Sequence, residues 1–447
     1  MTFTRSSLLT VCLAILLSCV CPRFAPTLHA QDQPTAQAAT PPADSQNAYN
    51  LSADKLSKAI AISRIRHIMD IVNGLWGIVV IWLLLATRIS ARLEDWAKSI
   101  SARRWIQGLL FFAAFLIITT LASLPLAWFS QHVEKSYDIS VQGWGSWLGD
   151  QAKGFGLTLL LFAPVLLLFN WIVRRWPRRY WFGIWVATLP LLVFGIFISP
   201  LLAPIFDKFE PLSKSHAALV DKLETVVART GINIPPDRMF LMKASAKYNG
   251  INAYVSGIGA TKRYVMWDTT TDRLPDDEVL FVFGHESGHY ILGHIPKMLA
   301  GMAIALFFVY WACAGFSAWL ARRYGASWQI GQHDGNPLAT RSGFLVLMFA
   351  ITVAGFVLEP ASNTFSRYFE HQADVYGQEA IHGIVADPQK TAVSGFNHLG
   401  EAWLEDPNPS PFIEFWEYNH PSVQTRANFA KQYDPWANGG HGEFFDK

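Results

Sequence analysis

The feature that most limits how this chain can fold is a set of six apolar segments, each about long enough to cross a lipid bilayer. A membrane-spanning helix needs roughly 17–25 residues, nearly all apolar. The six segments occupy residues 71–87, 105–129, 155–173, 180–206, 298–321 and 343–359. The 447-residue chain is also poor in charge, with 16% Asp, Glu, Lys and Arg, against about a quarter in soluble domains. The sequence predicts a mainly α-helical, polytopic membrane protein embedded in a lipid bilayer.

The N-terminus has the pattern of an export signal. Arg5 gives a basic start, an apolar stretch covers residues 8–20, and small residues lead to a cleavage point after Ala30. Two alternatives remain: the residues up to Cys19 resemble a lipid-attachment box, or the segment stays uncleaved as an additional span. Cleavage would leave Cys313 as the single cysteine, which excludes a disulfide framework within one chain.

The remaining chain divides by composition. A signal peptide or signal-anchor (1–30) is followed by a flexible tether (31–50) that is rich in Gln, Ala, Pro and Thr. An amphipathic helix over 51–70 leads into the first span. We predict four further parts: a helical membrane domain (51–206), a catalytic loop domain with a small β element (207–296), two further spans (297–359) and a second catalytic segment (360–447).

Basic residues in short loops predict the orientation of the chain, because Lys and Arg favour the cytoplasmic side of a membrane. The loops after the first, third and fifth spans contain Arg88, Arg92, Lys98, Arg103, Arg104; Arg174, Arg175, Arg178, Arg179; and Arg322, Arg323, Arg341. These loops share one side, so both long polar stretches belong on the other. An export signal requires the same orientation. The prediction is a bacterial inner-membrane protein with its catalytic side in the periplasm. A net charge of +2 without a long basic face argues against nucleic acid as a partner.

The strongest chemical signal is a His-Glu-x-x-His motif at His285, Glu286 and His289. Two histidines four residues apart project from one face of a helix and can bind a single Zn²⁺ ion, while the glutamate beside them reaches a zinc-bound water. A catalytic zinc site needs a third protein ligand and an open position. His294 follows His289 by five residues, a rotation of about 140° on a continuous helix. We therefore expect His294 to support the site or to lie on the surface.

The best candidate for the third ligand is Glu370. Asp374 lies four residues later on the same helix face and is expected to hold the free N–H of a ligating histidine. Arg367 precedes Glu370 by three residues and is expected to neutralise the extra negative charge. His371 is a weaker alternative ligand, because it points about 100° away from Glu370.

At these residues the chain resembles the type I CAAX prenyl endopeptidases, a family of integral-membrane zinc metallopeptidases related to a heat-shock membrane protease. The resemblance covers residues 48–429. Its motifs, in order, are the segment 203–212 (APIFDKFEPL), Asn252-Ala253-Tyr254, the His285–His289 motif, Asn363-x-x-Ser366-Arg367-x-x-Glu370-x-x-Ala373-Asp374, and His420-Pro421 followed by Arg426.

The resemblance implies further roles. Asn252, Ala253 and Tyr254 would belong to a strand that binds the substrate backbone. His420 would donate to the developing oxyanion, and Arg426 would support that region. The family fold is a helical, membrane-enclosed chamber with a zincin-like domain at its mouth. Two departures stand out: an export signal and tether replace the family's first span, and the eukaryotic members keep their metal motifs on the cytosolic side.

Together these features predict a zinc metalloendopeptidase with one Zn²⁺ per chain, acting on extracytoplasmic or membrane-associated polypeptides. One alternative is a membrane quality-control scaffold with a structural zinc. Another is processing of prenylated CAAX proteins on the cytosolic side. A transporter is disfavoured, because the centres of the six spans are almost free of ionisable residues.

Overall fold

The computed structural model describes residues 48–445 with the exception of residue 334. The predicted signal segment (1–30) and most of the predicted tether (31–47) therefore lie outside the described residues. The first part of the described chain consists of α-helices. These are α1 (Ala53–Ala86), α2 (Ile89–Ile100), α3 (Arg104–Ser136), α4 (Trp144–Arg175) and α5 (Tyr180–Leu202). The amphipathic segment predicted at 51–70 and the first span form one continuous helix, α1. Helix α2 was not predicted; it occupies the first basic loop.

A small sheet and three helices follow. The elements are β1 (Phe209–Pro211), α6 (Ala217–Thr230), β2 (Met239–Met242), β3 (Ala253–Ser256), β4 (Arg263–Trp267), α7 (Asp268–Arg273) and α8 (Asp276–Ile291). The strand order is β1-β2-β4-β3, with β2 and β4 parallel and the two outer pairs antiparallel. All five residues of β4 are buried, whereas β3 forms an edge of the sheet beside α8. The predicted β element is confirmed as this four-stranded sheet.

The last part of the described chain is again helical. It contains α9 (His294–Tyr324), α10 (Arg341–Ala380), α11 (Pro388–Trp403), α12 (Pro411–Glu417) and α13 (Val423–Gln432). Helix α10 has 40 residues, or about 60 Å at 1.5 Å per residue, which is twice the thickness of a bilayer core of about 30 Å. The boundary predicted at residue 359 is therefore not a structural break, since the sixth span and the segment with Glu370 are one helix.

Within the described residues, six helices are long and apolar enough to cross a membrane: α1, α3, α4, α5, α9 and α10. Their outward faces carry large apolar side chains that remain exposed, for example Leu160 at 68% and Ile304 at 63%. Water would disfavour such a surface and lipid would not. The predicted polytopic membrane fold with six spans is confirmed.

The three basic loops contact one another at one end of the helices. Arg88 Nε donates to the carbonyl of Ser327 (3.0 Å), and Arg341 Nη2 donates to the carbonyl of Arg104 (2.8 Å). Arg174 Nη2 lies 3.1 Å from His333 Nε2. The basic residues thus mark a single end of the helical bundle.

A buried carboxylate anchors α10 at this end. Glu94 Oε2 accepts hydrogen bonds from the backbone N–H (2.9 Å) and the hydroxyl (2.7 Å) of Ser342, in the first turn of α10. Burial alone would raise the pKa of Glu94, but the bonds from Ser342 and the nearby charges of Lys98 and Arg341 outweigh it and lower the pKa. A negative charge at a helix N-terminus also interacts favourably with the helix dipole. Glu94 therefore fixes the start of the helix that carries Glu370.

Candidate active site

Helices α8 and α10 cross at glycines. A Cβ atom added at Gly377 would lie 2.8 Å from the backbone nitrogen of His285, and one added at Gly284 would lie 3.1 Å from the carbonyl oxygen of Gly377. A Cβ atom added at Gly288 would lie 3.0 Å from the side chain of Tyr376. The close approach brings the His285–His289 face of α8 onto the Glu370 face of α10. Pro275 is the N-cap of α8.

Three side chains present their donor atoms to one point. His285 Nε2 lies 3.2 Å from His289 Nε2, and Glu370 lies 3.4 Å from the first and 3.6 Å from the second, through Oε2 and Oε1. Among the described residues, these three form the one group of His, Cys, Asp and Glu side chains arranged to hold a metal ion. All three residues are buried.

The geometry fits a tetrahedral metal site. Nitrogen and oxygen ligands bound to zinc at about 2.0–2.2 Å stand about 3.3–3.6 Å apart at tetrahedral corners, close to the spacings observed. Glu370 Oε2 is buried and accepts no hydrogen bond of normal geometry from the described residues, a costly arrangement for a carboxylate unless a cation satisfies it. The set could supply three ligands, which would leave a fourth tetrahedral position for water or substrate.

Asp374 and Arg426 lie behind His285. Asp374 Oδ1 is 2.9 Å from His285 Nδ1, and both Asp374 oxygens accept from Arg426, at 2.8 Å from Nε and 2.6 Å from Nη2. Burial alone would lower the pKa of His285, but the nearby carboxylates of Asp374 and Glu370 outweigh it and raise the pKa. Asp374 thus faces His285 Nδ1, the free ring nitrogen of a metal-binding histidine that the sequence led us to expect beside it. Arg426, which the resemblance placed near the oxyanion, instead pairs with Asp374.

His294 lies behind the other histidine. Helix α8 ends at Ile291, and Gly293 (φ 67°) turns the chain so that His294 begins α9. His294 therefore does not continue the helix of His289, and the rotation of about 140° expected on one continuous helix does not apply. His294 is fully buried, and its Nδ1 lies 3.0 Å from His289 Nδ1. It faces the side of His289 away from the three donors and so supports the site.

Glu286 faces the edge strand β3. Its Oε2 accepts a hydrogen bond from the backbone N–H of Val255 (3.2 Å). Because backbone groups alternate along a strand, Ala253 also directs its N–H and C=O to this outer edge, while Tyr254 pairs with Val265 of β4. Asn252 directly precedes the strand, and its carbonyl accepts from the N–H of Trp267 (3.0 Å) and the hydroxyl of Thr270 (2.8 Å). Val255 was not singled out from the sequence, since only its position on the edge reveals it.

His420 completes the site from the loop between α12 and α13. Its Nε2 lies 3.1 Å from Glu370 Oε2, and its Nδ1 lies 2.6 Å from Asn419 Oδ1. Arg367 holds this loop: its guanidinium donates to the carbonyls of Glu414 (2.9 Å) and Tyr418.

One prediction about a neighbouring residue needs correction. The hydrogen bonds of Arg367 within the described chain go to the His420 loop and to Thr364 Oγ1, so Arg367 does not neutralise Glu370 as expected. The reason is that a guanidinium fork satisfies converging carbonyl groups of a loop that sequence spacing cannot place. His371 packs its ring against Phe429, with centroids 4.6 Å apart, and is not part of the donor group.

Two family models match this chain. Residues 32–208 match the model described as CAAX prenyl protease N-terminal, five membrane helices, and residues 213–434 match peptidase family M48. A metalloprotease of Bacillus subtilis (YhfN) is 30% identical over 384 residues, which cover 86% of this chain and 87% of that protein. The chain belongs to peptidase family M48. It is an integral-membrane metallopeptidase, which confirms the function predicted from the sequence at this level.

More distant relatives are similar over most of the chain. CAAX prenyl protease 1 of Saccharomyces cerevisiae is 24% identical over 331 residues (72% of this chain, 71% of that protein), and its human homologue is 25% identical over 395 residues (79% of each). The crystal structure of S. mikatae Ste24p superposes with a TM-score of 0.70 at 21% identity, covering 84% of this chain and 88% of that one. The Ste24p structure therefore has the same fold as this chain.

Proposed function

We propose that this protein is a zinc-dependent endopeptidase whose ion is held by His285, His289 and Glu370. The observation that carries the proposal is the convergence of these three donors, at 3.2–3.6 Å from one another, beside Glu286 and an edge strand. Two imidazoles and one carboxylate are a common ligand set of catalytic zinc, and the fourth position stays open. A structural zinc would take four protein ligands, which argues against the alternative of a non-catalytic scaffold.

A zinc ion held by His285, His289 and Glu370 would supply Lewis-acid chemistry there, lowering the pKa of a water molecule and polarising a scissile carbonyl. In the proposed reaction Glu286 takes the proton of the attacking water and passes it to the leaving amine. His420 Nε2 points toward Glu370 and is available to donate to the carbonyl oxygen as it gains negative charge, a contact often worth about 3–4 kcal/mol. Asp374 fixes the ring of His285.

The substrate is an extended polypeptide that adds to the outer edge of β3. Ala253 and Val255 offer backbone donors and acceptors there, and Val255 already donates to the carboxylate of Glu286. An added strand would pair through main-chain hydrogen bonds, so its peptide bonds would pass close to Glu286. Asn252 and Tyr254 hold β3 against β4 and keep that edge in place.

We further propose that the catalytic side faces away from the cytoplasm, toward the periplasm of a bacterial cell. The basic loops gather at one end of the bundle, and such loops favour the cytoplasmic side. Arg341 starts α10 at that end, and Glu370 lies about 43 Å further along the same helix, which exceeds a bilayer core of about 30 Å. A site on that side favours extracytoplasmic or membrane-associated polypeptides as substrates.

A second candidate function is the processing of prenylated CAAX proteins. The names of the yeast and human relatives favour it, and it requires the site to face the cytosol. A reporter pair fused after Lys447 separates the two. We expect alkaline phosphatase, active outside the cytoplasm, to give signal and green fluorescent protein, active inside, to give none; the reverse result would favour CAAX processing.

The peptidase proposal is tested by Glu286→Gln in purified protein. We expect cleavage of a denatured polypeptide substrate to fall by at least about 10²-fold, since the proton-transfer group is lost. Bound zinc, measured by elemental analysis, should stay near one per chain, because Glu286 is not among the three donors. Glu224→Gln on the surface helix α6 serves as the control. Unchanged cleavage in Glu286→Gln would contradict the assigned role.

A further inference from the structure

The two histidines of the proposed metal site have chemically different supports. His285 Nδ1 faces the charged pair of Asp374 and Arg426. His289 Nδ1 instead faces a neutral group, the imidazole of His294, at 3.0 Å. His294 Nε2 in turn lies 3.2 Å from Gln372 Oε1. A chain of three side chains therefore runs from His289 through His294 to Gln372.

Hydrogen-bond chemistry gives this chain one direction. The amide oxygen of Gln372 is an acceptor only, so His294 must donate to it from Nε2–H. A neutral imidazole that donates from Nε2 accepts at Nδ1, and His294 Nδ1 can then accept only from an N–H on His289 Nδ1. His289 is thereby left with its lone pair on Nε2. That atom is the one facing His285 and Glu370.

The acceptor is held rigidly in place. His294 is fully buried, and its ring packs on Phe369 with centroids 4.6 Å apart. Gly293, with φ 67°, sets the turn that brings His294 back under His289, a conformation that favours glycine. Gln372 is oriented by its amide nitrogen, which lies 3.4 Å from the Tyr368 hydroxyl. The ring of His289 therefore has little freedom to rotate.

We propose that His294 is a positioning residue that, together with Gln372, fixes the tautomer and the ring orientation of His289 for metal binding. The inference rests on the proposed metal site at His285, His289 and Glu370. His294 would then orient His289 as Asp374 orients His285, with the difference that the hydrogen-bond acceptor on His294 is uncharged. Outer hydrogen bonds of this kind commonly change metal affinity by about 10–100-fold.

The test measures zinc affinity directly, by competition with a chromophoric chelator, in the full-length purified protein. In His294→Phe, a ring still packs on Phe369 but the acceptor is lost, and we expect the Kd for Zn²⁺ to rise about 10–100-fold. In His294→Asn, the amide oxygen takes the position of Nδ1, and we expect most of the affinity to return. His216→Phe, at the half-buried N-cap of α6 and outside the donor group, is the control and should bind as the wild type does.

Gln372→Met provides a second, milder disruption. It removes the acceptor that sets the tautomer of His294, and we expect a smaller rise in Kd that does not add to the effect of His294→Phe, since both act on one chain. The visible spectrum of the Co²⁺-substituted protein should change in both variants and not in the control, because the field at His289 is altered. If His294→Phe does not fold, Gln372→Met and the Co²⁺ spectrum decide the question.

The possible failures are distinguishable. Wild-type affinity in both His294→Phe and Gln372→Met would overturn the role of His294 alone and leave the metal site standing. An Asn variant as weak as the Phe variant would show that His294 acts by packing and would also overturn the proposal. A wild-type protein that binds no zinc would overturn the proposed function itself, and with it the positioning role of His294.

Discussion

At the residue scale, the site is a set of buried charges that must balance without bulk water. Glu286, Glu370 and Asp374 are buried carboxylates. Arg426 is a buried guanidinium that supplies one compensating positive charge. Burial alone would lower the pKa of Arg426, but Asp374 outweighs it and raises the pKa. A divalent ion among His285, His289 and Glu370 would supply the remaining positive charge. A buried ion pair of this kind is costly to break from one side.

Asp374→Asn tests this balance. The substitution keeps the shape of the side chain but leaves the buried Arg426 without its counter-charge and removes the anionic partner of His285. We expect the Kd for zinc to rise about 10–100-fold and the protein to lose about 3–5 kcal/mol of stability. Chelator competition and thermal denaturation in detergent measure the two effects. Asp237→Asn, at an exposed carboxylate, is the control, and equal zinc affinity in both variants would refute the prediction.

At the element scale, the site depends on how closely α8 and α10 approach. Packed helices usually stand 8–10 Å apart, depending on the side chains at their contact. Here Gly284, Gly288 and Gly377 lie at the crossing, and backbone atoms of one helix nearly touch the other. The crossing sets the distance between the two histidines of α8 and Glu370 of α10. A change of about 1 Å in this distance would exceed the variation that metal–ligand distances tolerate.

Gly377→Ala should therefore damage the site from outside it. The added methyl would lie 2.8 Å from the backbone nitrogen of His285, so the helices must separate. We expect bound zinc and peptidase activity both to fall by at least about tenfold, because a 1 Å misplacement can cost 10² in rate. Gly315→Ala on α9 is the matched control, since its new methyl meets nothing within 4 Å. Normal zinc content in Gly377→Ala would show that the crossing tolerates expansion.

At the scale of the whole molecule, α10 connects distant parts of the chain. Its N-terminus is fixed by Glu94 at the basic end, its middle crosses the membrane, and its last turns carry the site. Near its C-terminus the fully buried Glu379 accepts hydrogen bonds from the Tyr433 hydroxyl and from the backbone N–H groups of residues 443–445. Phe445 also packs on Tyr376, the residue that faces Gly288. The C-terminal tail thus holds the end of α10.

Deletion of residues 441–447 should loosen this arrangement. Glu379 would lose three of its backbone donors inside a buried environment, and unsatisfied buried groups cost about 1–3 kcal/mol or more when charged. We expect the Tm in detergent to fall by several degrees, with a parallel loss of activity at elevated temperature. Deletion of residues 446 and 447 alone keeps those donors and is the control. Identical melting of the two truncated proteins would contradict the importance of the tail.

Some of the candidate site follows from local sequence because helix geometry is local. The four-residue spacing places His285 beside His289 and Glu370 beside Asp374 on their helix faces. The partners of those groups do not follow from spacing. Arg367 was expected at Glu370 but binds the His420 loop, and its position depends on how three separate segments pack.

The sequence by itself determined that residues 48–445 contain six segments able to span a membrane, because span length is a property of consecutive residues. It also indicated a metallopeptidase, because the spacing of His285, Glu286 and His289 is read along one helix. Only the tertiary structure decided which groups stand behind each metal ligand. Arg426 reaches Asp374 from 52 residues away, and His294 reaches His289 through a turn at Gly293. Such contacts depend on long-range packing, which places residues next to one another irrespective of their separation along the chain.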